Sequence, residues 1–368
     1  MNNFSIRTMG AAVVLCAVGL TACEAPPVEV VQRGYRGTGM EQVINPGRFV
    51  DSVEANQAPE AIPAVPAGGP KAGEIYENVQ VLGDLSAAEF NRLMVAITNW
   101  VSPEQGCTYC HGQTGFASDD MYTKKVARVM IAMTQRANEA WGEKHTAPTG
   151  VTCYTCHRGQ PVPEYVWTKD PGPKMPGAYA KFPTGQNIAS SVTASTSLPF
   201  NALSAFLEEG DAPIRVAGDQ ALPHDNPANI KDAEWTYALM MHFSQSLGVN
   251  CTYCHNSRAF AKWDQSPPTR LKAWHAIRMV RELNSSYIGD TVDYLPDNRK
   301  GPLGDPLKLA CNTCHQGAYK PLYGAPMLKD YPNLSRESRG ARRLITAAAA
   351  PVHGDAGPQA ASPGGAEE

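Results

Sequence analysis

The sequence predicts a mainly α-helical fold with long irregular connections, built from two related halves. Three observations lead there. Four Cys-x-x-Cys-His strings occur in two pairs, starting at Cys107 and Cys153 and again at Cys251 and Cys311. Apolar residues at helical spacing precede every string. Proline (30) and glycine (32) are plentiful in 368 residues, and few segments alternate as a half-buried strand would.

The chain opens as an export signal. Residues 1–8 are polar with one arginine, and residues 9–22 form an apolar run too short to span a bilayer comfortably. The run ends Leu20-Thr21-Ala22-Cys23, which resembles a bacterial lipoprotein cleavage box. Such a box makes residues 1–22 a signal peptide and Cys23 a lipid-bearing N-terminus. Residues 23–80 are rich in Pro, Ala, Gly and Val without helical periodicity, and are expected to form an extended arm. One unit then covers residues 81–165. A Pro/Ser/Thr-rich connection covers 166–229, and a second unit covers 230–334. Residues 335–368, rich in Ala, Pro, Gly and Glu, are expected to be a disordered tail.

A helix is predicted before each string. The first covers residues 86–101, opened by Ser86 and Glu89 as a capping box, with Phe90, Met94, Ile97 and Val101 in one stripe. The second covers about 123–141, with Val126, Met130, Met133, Ala137 and Trp141 on one face and Gly142 as its stop. The third covers about 232–247, with Met240, Phe243 and Leu247 aligned and Gly248 as its C-cap. The fourth follows Pro267 and Pro268 and covers about 269–287. The first and third strings share Cys-Thr-Tyr-Cys-His. The second and fourth share Thr-Cys-His-x-Gly followed by Pro and Tyr, so a two-string unit is repeated.

Cys-x-x-Cys-His is the attachment site of c-type haem. Two thiols add across the haem vinyl groups, and the two intervening residues let one helical turn present both sulfurs to one porphyrin edge. The next residue, His, then lies under the ring and coordinates iron. The predicted cofactors are therefore four c-type haems, on Cys107 and Cys110 with His111, Cys153 and Cys156 with His157, Cys251 and Cys254 with His255, and Cys311 and Cys314 with His315. Paired zinc sites would also use four Cys pairs, but give no reason for a His after every pair. Redox-active Cys pairs would sit in a βαβ context, which is not seen. A net charge of −3 with 18% charged residues leaves no basic face for nucleic acid.

Electron-transfer haem needs a sixth ligand, usually Met or His. The chain has nine histidines, and four are used as proximal ligands. Bis-His ligation throughout would need four of His145, His224, His242, His275 and His353, including one in the tail, so at least some sixth ligands are Met. Met94, Met130 and Met240 each lie on the helix leading to a string, on its apolar face, where core packing is the competing role. Met133 and Met241 are neighbours that serve the same argument. By repeat logic the fourth ligand is Met279. His224 reads as a surface residue, and His242 and His275 as packing or hydrogen-bonding groups. A multihaem enzyme would need a haem with an open coordination position, and here every haem has a candidate sixth ligand.

The chain resembles the tetrahaem cytochrome subunit of purple-bacterial photosynthetic reaction centres. The resemblance covers about residues 24–334 and is carried by FNRLMVAITNWVSPEQGCTYCH (90–111), MIAMTQRANEAWGEKHTAPTGVTCYTCHRG (130–159), EWTYALMMHFSQSLGVNCTYCHN (234–256) and CNTCHQGAYKPLYGA (311–325). It implies a non-enzymatic carrier on the periplasmic face of the inner membrane, docked on the L and M subunits. There it would re-reduce the photo-oxidised bacteriochlorophyll pair and be reduced by a soluble c-type cytochrome or a high-potential iron–sulfur protein. It implies Met94, Met130 and Met240 as sixth ligands of three haems and His145, rather than Met279, for the fourth. It implies a near-linear row of haems, with that of the third string nearest the pair. It also implies that Arg270 lies close to the third haem, where a fixed positive charge raises its potential.

Overall fold

Among the described residues, four of the six main helices begin or end where the sequence supplies a cap. In this computed structural model the described residues are 27–32, 41–172, 198–210, 213–216 and 228–346. The export signal, Cys23, His224, His353 and most of the predicted tail lie outside them. Strands β1 (Glu29–Gln32) and β2 (Glu41–Ile44) pair antiparallel. Helix α1 (Pro46–Ala55) follows, with Pro46 at its first position and Asn45 Oδ1 accepting from Arg48 N. The predicted extended arm is therefore partly folded. Its helix buries no side chain fully.

Helix α2 (Ala87–Val101) starts with the predicted Ser86–Glu89 capping box. Its fully buried face is Leu93, Ala96 and Trp100, while the predicted stripe of Phe90, Met94, Ile97 and Val101 is only half-buried. Helix α3 (Tyr122–Trp141) does not stop at Gly142. That residue has φ −48°, and the chain continues as a wider π turn over Gly142–Thr146, closed by Ala147 N donating to Gly142 O at 2.7 Å. Strand β3 (Val166–Trp167) comes next. Part of the 166–229 connection enters the core, where Phe206 and Leu207 are completely buried.

Helix α4 (Ile230–Leu247) is capped by Asn229 and ends at Gly248, which has φ +63° as a left-handed cap requires. Helix α5 (Thr269–Leu283) is shorter than predicted, because residues Asn284–Ile288 form a second π turn. Strand β4 (Lys308–Leu309) pairs antiparallel with β3. Helix α6 (Arg339–Thr346) lies in the segment predicted as tail and packs on α3, with Ala341 fully buried. Its polar sequence hid this: the contact runs through Glu337 N to Glu139 and Ser338 N to Gln135. Among the described residues no helix is long and apolar enough to cross a membrane.

Candidate functional site

Each Cys-x-x-Cys-His string folds as a single tight turn. The second and fourth are short α-helices, Cys153–His157 and Cys311–His315, the first is helical over Thr108–His111, and the third opens with a 3-10 turn, Cys251–Tyr253. Threonines close the inner two: Thr155 Oγ1 accepts from Thr152 N at 2.9 Å, and Thr313 Oγ1 accepts from Ala310 N at 2.8 Å. In both, the residue after His is left-handed and a positive-φ glycine follows, Arg158 (φ 51°) with Gly159 (84°) and Gln316 (47°) with Gly317 (79°). That reversal aims the glycine N–H at the long helix that leads into the string before, α2 for the second string and α4 for the fourth. Gly159 N donates to Trp100 O and Gly317 N to Ser246 O, both at 2.8 Å. The outer turns share another bond, Thr123 Oγ1 to Tyr109 O and Thr269 Oγ1 to Tyr253 O.

The four histidines share one more feature. Nδ1 of His111 faces Phe116 O at 3.1 Å, and Nδ1 of His157 faces Gln160 O at 2.8 Å. Nδ1 of His255 faces Phe260 O at 3.0 Å, and Nδ1 of His315 faces Ala318 O at 2.9 Å. A carbonyl only accepts, so Nδ1 must carry the proton, and the Nε2 lone pair is left for a metal. This is the tautomer an iron ligand needs. Burial lowers the pKa of all four, which keeps them neutral.

Cys110, Cys153 and Cys311 are not poised for redox exchange. Burial pushes Cys153 and Cys311 up to about 12 and Cys110 to about 11, whereas a reactive Cys pair has a lowered thiol pKa. The second-turn residues Cys153, Cys156 and His157 line an apolar cavity of about 200 Å³ that is open to solvent. Met130 and Met133 both line it, as do Ile97 and Val101 of α2. The half-buried stripe of α2 thus reaches the cavity, which accounts for its mismatch with the polypeptide core. Met94 and Met240 are likewise half-buried at the core's edge.

His145 sits on the π turn after α3, beside the fourth string. Its ring centroid is 6.1 Å from that of His315. Two metal–nitrogen bonds of about 2 Å plus the two ring half-widths come to about 6 Å, the span of two imidazoles on one metal. His145 Nδ1 donates to Lys272 O at 3.2 Å, again leaving Nε2 free. Burial, then the neighbouring His315, lowers its pKa to about 4. The turn is held from α5: Lys272 Nζ donates to Glu143 O, and Glu282 accepts from Trp141 Nε1 and Arg136 Nε. Met279 is buried and lines the cavity at the second string.

His242 is a hydrogen-bonding group, as expected from the sequence. Its Nε2 accepts from Cys311 N at 3.2 Å, and burial lowers its pKa to about 4. His275 is half-buried with its ring against Trp274. Arg270 stacks on Trp263 with Cζ 4.2 Å from the ring centroid, donates to Lys262 O, and is close enough to Cys254 and His255 to act on both electrostatically. Sequence reasoning missed Asn56, Arg158 and Gln316, which link the second and fourth turns. The shared Thr-Cys-His-x-Gly string marked the place, but the cross-links depend on tertiary contact.

A family model described as photosynthetic reaction centre cytochrome C subunit matches residues 24–335. The chain is 54% identical over 327 residues to the photosynthetic reaction center cytochrome c subunit of Thermochromatium tepidum, covering 89% of this chain and 80% of that one. It is 50% identical over 331 residues to the protein of the same description from Rubrivivax gelatinosus, covering 89% of each. The corresponding protein of Roseobacter denitrificans is 42% identical over 346 residues, 90% of this chain and 92% of its own.

Proposed function

Since the chain belongs to the photosynthetic reaction centre cytochrome c subunit family, we propose that it holds four covalent c-type haems and relays single electrons from a soluble donor to the photo-oxidised bacteriochlorophyll pair. Membership makes it an electron-transfer protein of the reaction centre rather than an enzyme. The observation that carries the proposal is the set of four Cys-x-x-Cys-His turns whose histidines all present a free Nε2. Bound haem supplies one-electron ferric/ferrous chemistry at a potential set by its axial ligands and surroundings.

The chain's residues do the rest. The eight cysteines fix the haem edges, and His111, His157, His255 and His315 supply proximal nitrogens. Met94, Met130 and Met240 complete three sites with thioethers, which favour the ferrous state and raise potential. His145 completes the fourth with an imidazole, which favours the ferric state more. The matched bonds of the two inner turns and of the two outer turns support a duplicated two-haem unit. Burial supports an order along the molecule. Cys107 and Cys251 are exposed, whereas Cys156 and Cys314 lie with Sγ atoms 2.9 Å apart. The sites then run first, second, fourth, third, and the third faces the L and M subunits.

A soluble c-type cytochrome or high-potential iron–sulfur protein is the proposed donor. Lipid on Cys23 would hold the chain at the periplasmic face of the inner membrane, with more than one acyl chain or the subunit contacts making the attachment stable. An unmodified residue 23 in the mass spectrum of the purified subunit would exclude that anchor. Arg270 is proposed to raise the third potential, and Arg270→Ala should lower that potential alone in a redox titration.

Flash spectroscopy on membranes tests the function. After a flash that oxidises the pair, haem bleaching should follow the same time course as re-reduction of the pair, and deleting this chain should slow that re-reduction. Equally fast re-reduction without the chain, and no haem bleaching with it, would overturn the assignment.

A further inference from the structure

The two inner turns are cross-linked by the residues that follow their histidines. Arg158 Nη2 donates to Cys314 O at 3.4 Å, and Gln316 Nε2 donates to Cys156 O at 3.3 Å. The two are counterparts in the repeat, each left-handed and each reaching into the other turn. One carries a charge and the other does not. The difference is managed by the N-terminal arm. Asn56, only 2% exposed, accepts from Arg158 Nη2 through Oδ1 at 3.0 Å. Its Nδ2 donates to Gln316 O at 3.2 Å and to Ser52 O at 2.8 Å. Arg158 also donates from Nε to Thr155 O, while its buried Nη1 has no hydrogen-bond partner among the described residues. The guanidinium also lies over the Tyr154 ring, with Cζ 5.5 Å from its centroid.

We propose that Asn56 is a positioning residue that holds the Arg158 guanidinium between the second and fourth haem sites, so that one residue of the N-terminal arm fixes the positive charge acting on both. This rests on the haem reading above. A half-buried charge is screened less than one in open water, and a fixed positive charge disfavours the extra positive charge of ferric iron. Asparagine suits the role because its amide orients the guanidinium without neutralising it, whereas an aspartate in the same place would form a charge-assisted pair. Gln316 reproduces the cross-link with no charge, so the single charge is shared across the repeat.

Redox titration of the purified holoprotein tests this, with haem content measured on the same samples. Asn56→Asp should shift the reduction equilibria of the second and fourth haems toward ferric by at least tenfold, about 59 mV for a one-electron couple, and leave the first and third unchanged. Arg158→Gln should move the same two in the same direction, and Arg158→Lys, which keeps the charge, should restore most of the shift. Unchanged inner potentials in Arg158→Gln, or an equal shift of all four haems in Asn56→Asp, would overturn the proposal. If Asn56→Asp does not assemble, the Arg158→Gln and Arg158→Lys pair decides it. Fewer than four haems in the unaltered protein would instead overturn the reading on which it rests.

Discussion

Replacing His145 with methionine is expected to raise one of four reduction potentials and leave the other three nearly unchanged. The two ring centroids, His145 and His315, are 6.1 Å apart, and both histidines have Nδ1 on a backbone carbonyl with Nε2 left over. Burial keeps both neutral, as ligands must be. Imidazole supports ferric iron better than thioether does, so the substitution should favour the ferrous state at that site by at least tenfold, about 59 mV. His145→Ala should go further and turn one haem high-spin. The competing ligand, Met279, is a buried core residue that lines the cavity at the second string. Met279→Leu should therefore leave all four spectra low-spin, at a packing cost of under about 1.5 kcal/mol. If Met279→Leu turns the fourth haem high-spin while His145→Ala leaves it untouched, the ligand assignment is wrong.

Gly248→Ala should destabilise the holoprotein by about 2–5 kcal/mol. Gly248 ends α4 with φ +63°, where a side chain costs roughly 1–2 kcal/mol. A Cβ there would stand 2.2 Å from Gly317 O, in the turn that follows the fourth string. Backbone cannot yield as a flexible side chain does, and overpacking adds about 1–3 kcal/mol. Gly106 is a control with the same backbone and open space: φ +64° and nothing within 4 Å of an added Cβ. Gly106→Ala should show only the conformational part. Urea midpoints of the two variants would separate the terms, and equal losses would mean that α4 and the fourth turn do not meet as described.

Local features of this fold were legible because they are local. The Ser86 box, the glycine after α4 and the string turns are each set by residues within one helical turn. The stripe on α2 was legible as apolar but not as to its target, because Ile97 and Val101 line the apolar cavity while Leu93 and Trp100 fill the core. Gly142 failed as a stop because the π turn is held by α5 through Lys272 and Glu282, which sequence spacing does not reveal. The arm helix and α6 were missed for a related reason. They attach largely by polar contacts, through Ser52 and Asn56 at one end and Glu337 and Ser338 at the other, with Phe49 against the Tyr323 ring and Ala341 as the main apolar contacts. The four strings were plain from the sequence, while the meeting of His145 with His315 depended on resemblance, since 170 residues separate them.

Covalent haem per chain is the most direct test of the account. A pyridine haemochrome assay, referenced to protein by amino-acid analysis after acid–acetone extraction, should give four haems per chain with none extracted. Eight cysteines in four Cys-x-x-Cys-His turns, two to a haem, would hold four. Two or fewer haems per chain, or haem that leaves with the solvent, would contradict it.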